Sequence, residues 1–112
     1  MAEETVQESV TYDVADEVAT ITLNRPDLRN RMTVEMLQQA FELLERAAVD
    51  DGVRVVVLTG AGNTFCAGAD LAGASDAAAA DSKWSGPKAI VHVLNAILEH
   101  PKPVIARVQG HV

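Results

Sequence analysis

One cysteine among 112 residues, Cys66, excludes an internal disulfide, and beside three methionines it suits a reducing compartment. No run of Lys or Arg occurs, and 16 acidic against 9 basic residues leave a net charge of -7. That balance excludes sequence-independent binding to nucleic acid, which draws its affinity from cations displacing counterions along phosphates. The longest apolar run is only Val55, Val56, Val57 and Leu58, far short of a membrane span. The first ten residues carry Glu3, Glu4 and Glu8 and lack the basic start and apolar core of a signal peptide. The expectation is a cytoplasmic protein with neither nucleic acid nor membrane as partner. Apolar residues make up 48% and charged residues 22%, a composition that folds, and the length allows one domain at most.

Residues 1–9 read as an acidic N-terminal tail and residues 10–112 as the folded part. Val10, Tyr12 and Val14 alternate with polar residues, as do Ala19, Ile21 and Leu23, which predicts a hairpin turning near Asp16 and Glu17. Pro26 then stops the strand and holds Arg25 extended. Thr33 suits a helix N-cap ahead of Leu37, Ala40, Phe41, Leu44 and Ala48 at helical spacing, and Gly52 suits a left-handed cap at the far end. Two acids there, Asp50 and Asp51, oppose the helix dipole. The Val-rich residues 53–58 predict a parallel strand buried on both faces. A glycine loop follows at residues 60–63. Residues 72–83 carry no large apolar face and are expected to be poorly ordered. Ser85 and Pro87 suit a second helix start, with Ile90, Val93, Leu94, Ile97 and Leu98 on one face, and residues 103–109 suit a last strand. The alternation of strands and helices makes the fold α/β with right-handed crossovers.

Chemistry is thinly marked. Gly60 and Gly62 are followed by Phe65 where a dinucleotide fingerprint needs glycine, and no Gly-Lys-Ser/Thr follows for a phosphate loop. His92, His100 and His111 share no metal-ligand spacing, and the first two read as exposed residues on a helix polar face and near its C-terminus. Cys66 reads as a small buried thiol rather than a nucleophile. What remains is Phe65-Cys66-Ala67-Gly68-Ala69-Asp70-Leu71, a small-residue run that lets backbone approach a ligand. If a helical turn begins at Asp70, the amides there can hold an oxyanion, although tight packing alone also accounts for such a run.

Three ordered motifs carry a resemblance: Leu23-Asn24-Arg25-Pro26-Asp27-Leu28-Arg29-Asn30; Leu58-Thr59-Gly60-Ala61-Gly62 with residues 65–71; and Lys102-Pro103-Val104-Ile105-Ala106 with Gly110. Together they resemble the crotonase family of enoyl-CoA hydratases and isomerases. The resemblance implies the N-terminal portion of a ββα spiral that binds acyl-CoA thioesters and stabilises their enolate with two backbone amides. It places the first amide at Ala69. Ala67, Gly68, Ala69, Asp70, Leu71 and Ala72 would line the pantetheine and adenine path, and Arg25, Arg29 and Arg31 would meet the CoA phosphates. The family usually has Ala after the Asn of the first motif, where this chain has Arg31.

In the family, the strand matching residues 103–109 leads into a glycine-rich turn carrying the second oxyanion donor, with acid/base carboxylates later still. The chain ends within that motif, so the resemblance implies a crotonase-like domain truncated at its C-terminal end. It is expected to be silent as an isolated chain, short of cover for its last helix and strand, and to hydrate 2-enoyl-CoA in fatty acid metabolism as a full-length homotrimer or hexamer. No cofactor is expected beyond coenzyme A as part of the substrate. The alternatives are a non-catalytic acyl-CoA binding or assembly module, and an unrelated α/β domain with a purely structural glycine loop.

Overall fold

The computed structural model describes residues 8–68, Trp84 and residues 87–110. The expectations for residues 1–7 and 72–83 and for Ser85 therefore lie outside the described residues. Two strands, β1 (Val10–Ala15) and β2 (Val18–Leu23), pair antiparallel with Val10 opposite Leu23 and Ala15 opposite Val18. The two-residue turn between them places both Asp16 (φ 54°) and Glu17 (φ 68°) in the left-handed region, which right-handed strand twist demands. Glycine suits such a turn better than glutamate. The Glu17 carboxylate meets Arg54 at 2.7 Å, but both side chains are mostly exposed and such a pair contributes little. Glu17→Gly is therefore expected to stabilise the fold by about 0.5 kcal/mol, read as a higher thermal midpoint. An unchanged or lower midpoint would count against strain at this turn.

Alternation in β2 turns Ala19, Ile21 and Leu23 into the core. Against them packs helix α1 (Val34–Val49), which buries Met36, Leu37, Ala40, Leu44 and Ala47. Thr33 caps it as expected, its hydroxyl accepting from the Met36 amide at 3.2 Å. The other end differs from expectation. Asp50 is extended, Gly52 does not adopt a positive φ, and the Asp50 carboxylate accepts from the Gly52 amide at 2.8 Å. Lys102 resolves the dipole conflict, because its ammonium donates at 2.7 Å to each of the Ala47 and Asp50 carbonyls. Next to it, His100 is half-buried rather than exposed. Its Nε2 lies 2.9 Å from the Leu44 carbonyl.

Strand β3 (Val55–Gly60) starts two residues later than the Val run and pairs parallel to β2, and β4 (Val104–Arg107) pairs parallel to β3. The sheet order is β1-β2-β3-β4. The Val-rich strand is not buried on both faces. Val56 is buried, whereas Val55 and Val57, out of phase with it, are half-buried, because α1 and the helix α2 (Pro87–Leu98) pack together on one side. From α2 only Ala89 and Val93 are buried. Val91, Leu94 and Leu98 are 51%, 57% and 81% exposed, and Ile105 and Val108 are also exposed, a larger uncovered apolar area than a core helix and strand normally leave. His92 is half-buried, stacked edge-on against Phe41 and tilted against Trp84, not a solvent-facing residue.

Candidate functional site

Beyond β2, Pro26 opens a short 3-10 turn (Pro26–Leu28), and Arg25, expected to be extended, instead has φ -126° and ψ 64°, which keeps it out of the helical region the following proline disfavours but bends the chain into the turn. Arg29 (φ 54°) and Asn30 (φ 55°) then turn the chain through the left-handed region. Arg25 does not present a free cation. Its Nε and Nη2 bind the two carboxylate oxygens of Asp27 at 3.2 and 2.9 Å, and this pairing holds the Asp27 carboxyl below its usual range. Arg29 and Arg31 remain exposed, and with Asp27, Leu28 and Ala67 they line a recess of about 320 Å³.

The segment of residues 66–68 runs beside this loop. The Ala67 amide donates to the Arg29 carbonyl at 3.0 Å, and the Met32 amide donates to the Gly68 carbonyl at 2.9 Å. Successive residues of this stretch fall on two sides. Ala67 faces the arginine recess, while Cys66 and Gly68 line an apolar cavity of about 220 Å³ together with Met32, Leu58, Ile90 and Leu94. Gly68 adopts φ 126°, a conformation that side chains rarely tolerate, although a Cβ there would meet no atom within 4 Å. Backbone shape, not crowding, is what selects glycine.

The proposed oxyanion donor Ala69, with Asp70, Leu71 and Ala72, lies outside the described residues. Cys66 is half-buried, its Sγ 3.7 Å from the Gly68 carbonyl, while the two described histidines are occupied elsewhere. Among the described residues no cluster of His, Cys, Asp or Glu is arranged to hold a metal. No described helix is long and apolar enough to cross a membrane.

Sequence reasoning did not assign a role to Asn30, the residue that joins the two loops. It is fully buried, accepts from the Arg25 amide at 2.7 Å, and donates from Nδ2 to the Ala61 and Thr64 carbonyls at 3.0 and 2.8 Å. The available signal was its position within the turn, since Asn tolerates the left-handed region better than most residues. Gln109 was likewise unmarked. Its Nε2 donates to the Gly60 carbonyl and, at 3.3 Å, to that of Gly62.

The profile of the enoyl-CoA hydratase/isomerase family matches residues 13–112. A Mycobacterium tuberculosis protein named as a probable enoyl-CoA hydratase, echA6, is 38% identical over 96 residues, which cover 86% of this chain and 37% of the relative. The 1,2-epoxyphenylacetyl-CoA isomerase of Escherichia coli K12 is 36% identical over 108 residues, 94% of this chain and 41% of that protein. The crystal structure of an enoyl-CoA hydratase from Mycobacterium avium subsp. paratuberculosis superposes with a TM-score of 0.75 at 30% identity, covering 96% of this chain and 41% of that one. The chain thus spans about two fifths of the length of these proteins. The chain belongs to the enoyl-CoA hydratase/isomerase family, the crotonases.

Proposed function

We propose that the protein binds acyl-CoA thioesters, stabilises their enolate oxyanion and, as the full-length protein, hydrates 2-enoyl-CoA. The observation that carries this reading is the two-sided segment of residues 66–68, with a cationic recess on one side and an apolar cavity on the other. A CoA thioester has those two ends. Arg29 and Arg31 meet its phosphates, the cavity takes the acyl chain, and Ala67, Gly68, Ala69, Asp70, Leu71 and Ala72 line the pantetheine and adenine path, with the thioester carbonyl at Ala69. The Ala69 amide donates to the carbonyl oxygen, and it does so more strongly as that oxygen gains charge, which is the differential binding catalysis requires. Arg25, which the resemblance also places at the phosphates, is paired with Asp27 and orders the loop that carries all three arginines. Coenzyme A enters only as part of the substrate. Assembly as a homotrimer or hexamer, cytoplasmic location and a place in fatty acid metabolism complete the reading.

Ala69→Pro tests it, since proline removes the N–H. Turnover of crotonyl-CoA by the full-length protein is expected to fall about hundredfold while binding persists. Unchanged turnover would remove Ala69 from the mechanism. Tight binding of acyl-CoA without any turnover by the parent protein would select the non-catalytic module instead.

A further inference from the structure

The glycine loop at residues 60–64 touches neither the recess nor the cavity, yet four of its carbonyls are held by side-chain amides from distant parts of the chain. Asn30 binds the carbonyls of Ala61 and Thr64, and Gln109 those of Gly60 and Gly62. The loop runs directly into the segment of residues 66–68 that divides the two halves of the proposed site. Asn30 also takes the Arg25 amide, so one buried side chain spans the arginine loop and the glycine loop. From the other side, Thr59 Oγ1 has one proton to share between the Arg107 carbonyl at 2.9 Å and Gln109 Oε1 at 3.3 Å, and the Gly60 and Gly62 carbonyls orient the glutamine with its amide nitrogen toward the loop. Thr64 makes an antiparallel bridge to Gly110, whose φ of 64° and lack of a side chain let it lie against Asn63. The loop is therefore clamped from both flanks.

We propose that Asn30 and Gln109 are positioning residues that set the spacing between the arginine recess and the apolar cavity, so that one ligand engages both. This inference rests on the acyl-CoA reading. Neither residue touches ligand in it; each acts through the carbonyls it holds. An amide donor is needed at both positions, because four carbonyls converge and a carboxylate would repel them. Gln109 is only half-buried, so its substitution leaves the core intact, whereas Asn30 is wholly enclosed.

The test compares coenzyme A, which carries only the phosphate end, with octanoyl-CoA, which carries both, by calorimetric titration of the full-length protein. The parent is expected to bind octanoyl-CoA much more tightly than coenzyme A. In Gln109→Ala and in Gln109→Glu, which keeps the acceptor for Thr59 but loses the donor, coenzyme A affinity is expected to stay within twofold. The advantage conferred by the octanoyl chain is expected to fall about tenfold. Asn30→Asp is expected to lower the same ratio in whatever fraction folds. If both ligands weaken in parallel, or if the ratio is unchanged in the two Gln109 variants, the positioning role is overturned and the acyl-CoA reading stands. If the parent binds neither ligand, that reading falls and the inference falls with it.

Discussion

Asn30→Ala is expected to destabilise the fold by about 4 kcal/mol, seen as a lower urea midpoint at constant slope. Three hydrogen bonds disappear together, leaving the Arg25 amide and the Ala61 and Thr64 carbonyls unpaired, and the Thr64 contact is fully buried. Each buried group without a partner costs about 1–3 kcal/mol. Alanine also takes the left-handed conformation at φ 55° less readily than asparagine. Asn30→Gly separates the two causes, since it accepts that backbone and still lacks the amide. It is expected to recover about 1 kcal/mol relative to Ala and no more. A loss below 1 kcal/mol in Asn30→Ala would mean that water takes over the three bonds and that the loops are not joined through this side chain.

Both loops were legible in the sequence as chain breaks, and the reason they sit against each other was not. Alternation in β2 and helical spacing in α1 are local patterns, so Ile21, Leu23, Leu37 and Leu44 could be assigned to the core from spacing alone. Thr33 likewise caps its helix through a bond three residues away. Errors arose where the partner is remote. Gly52 was expected to cap α1, but the capping charge comes from Lys102, 52 residues beyond Asp50. The position of His100 suggests an exposed residue near the end of its own helix, whereas it meets a carbonyl of α1. Burial of β3 on both faces was inferred from composition, which does not reveal that α1 and α2 share one side.

The candidate site divides in the same way. Three arginines in seven residues marked a cationic loop, and Arg29 and Arg31 do line a recess. Nothing in that spacing indicated that Arg25 would turn back onto Asp27, because an i to i+2 contact depends on the 3-10 turn between them. The small-residue run marked a close backbone approach. Its two-sided character depends on the pairing of residues 66–68 with residues 29–32, a contact the sequence does not encode locally.

Gly60→Ala is the substitution expected to do most harm for its size. A Cβ at Gly60 would stand 2.4 Å from the Phe65 carbonyl oxygen, 3.0 Å from the Phe65 Cα and 2.9 Å from Asn30 Nδ2. The first two are backbone atoms and cannot swing aside as a flexible side chain would. Relief must come from moving the last residue of β3 or the chain at residue 65, and either motion strains bonds of the Asn30 clamp. Overpacking in a tight core costs about 1–3 kcal/mol, and freeing buried carbonyls adds a similar amount, so a loss of about 4 kcal/mol or more is expected. The lower chain entropy of alanine in the unfolded state offsets less than 1 kcal/mol of this. Gly52→Ala is the control, because its Cβ would meet only the exposed Asp50 Oδ1 at 3.3 Å and the backbone there needs no positive φ. It is expected to stay within about 0.5 kcal/mol of the parent. Urea denaturation of the two variants side by side decides the matter: a Gly60→Ala protein as stable as Gly52→Ala would show that the glycine loop can shift without cost, and the two clamps would then fix nothing.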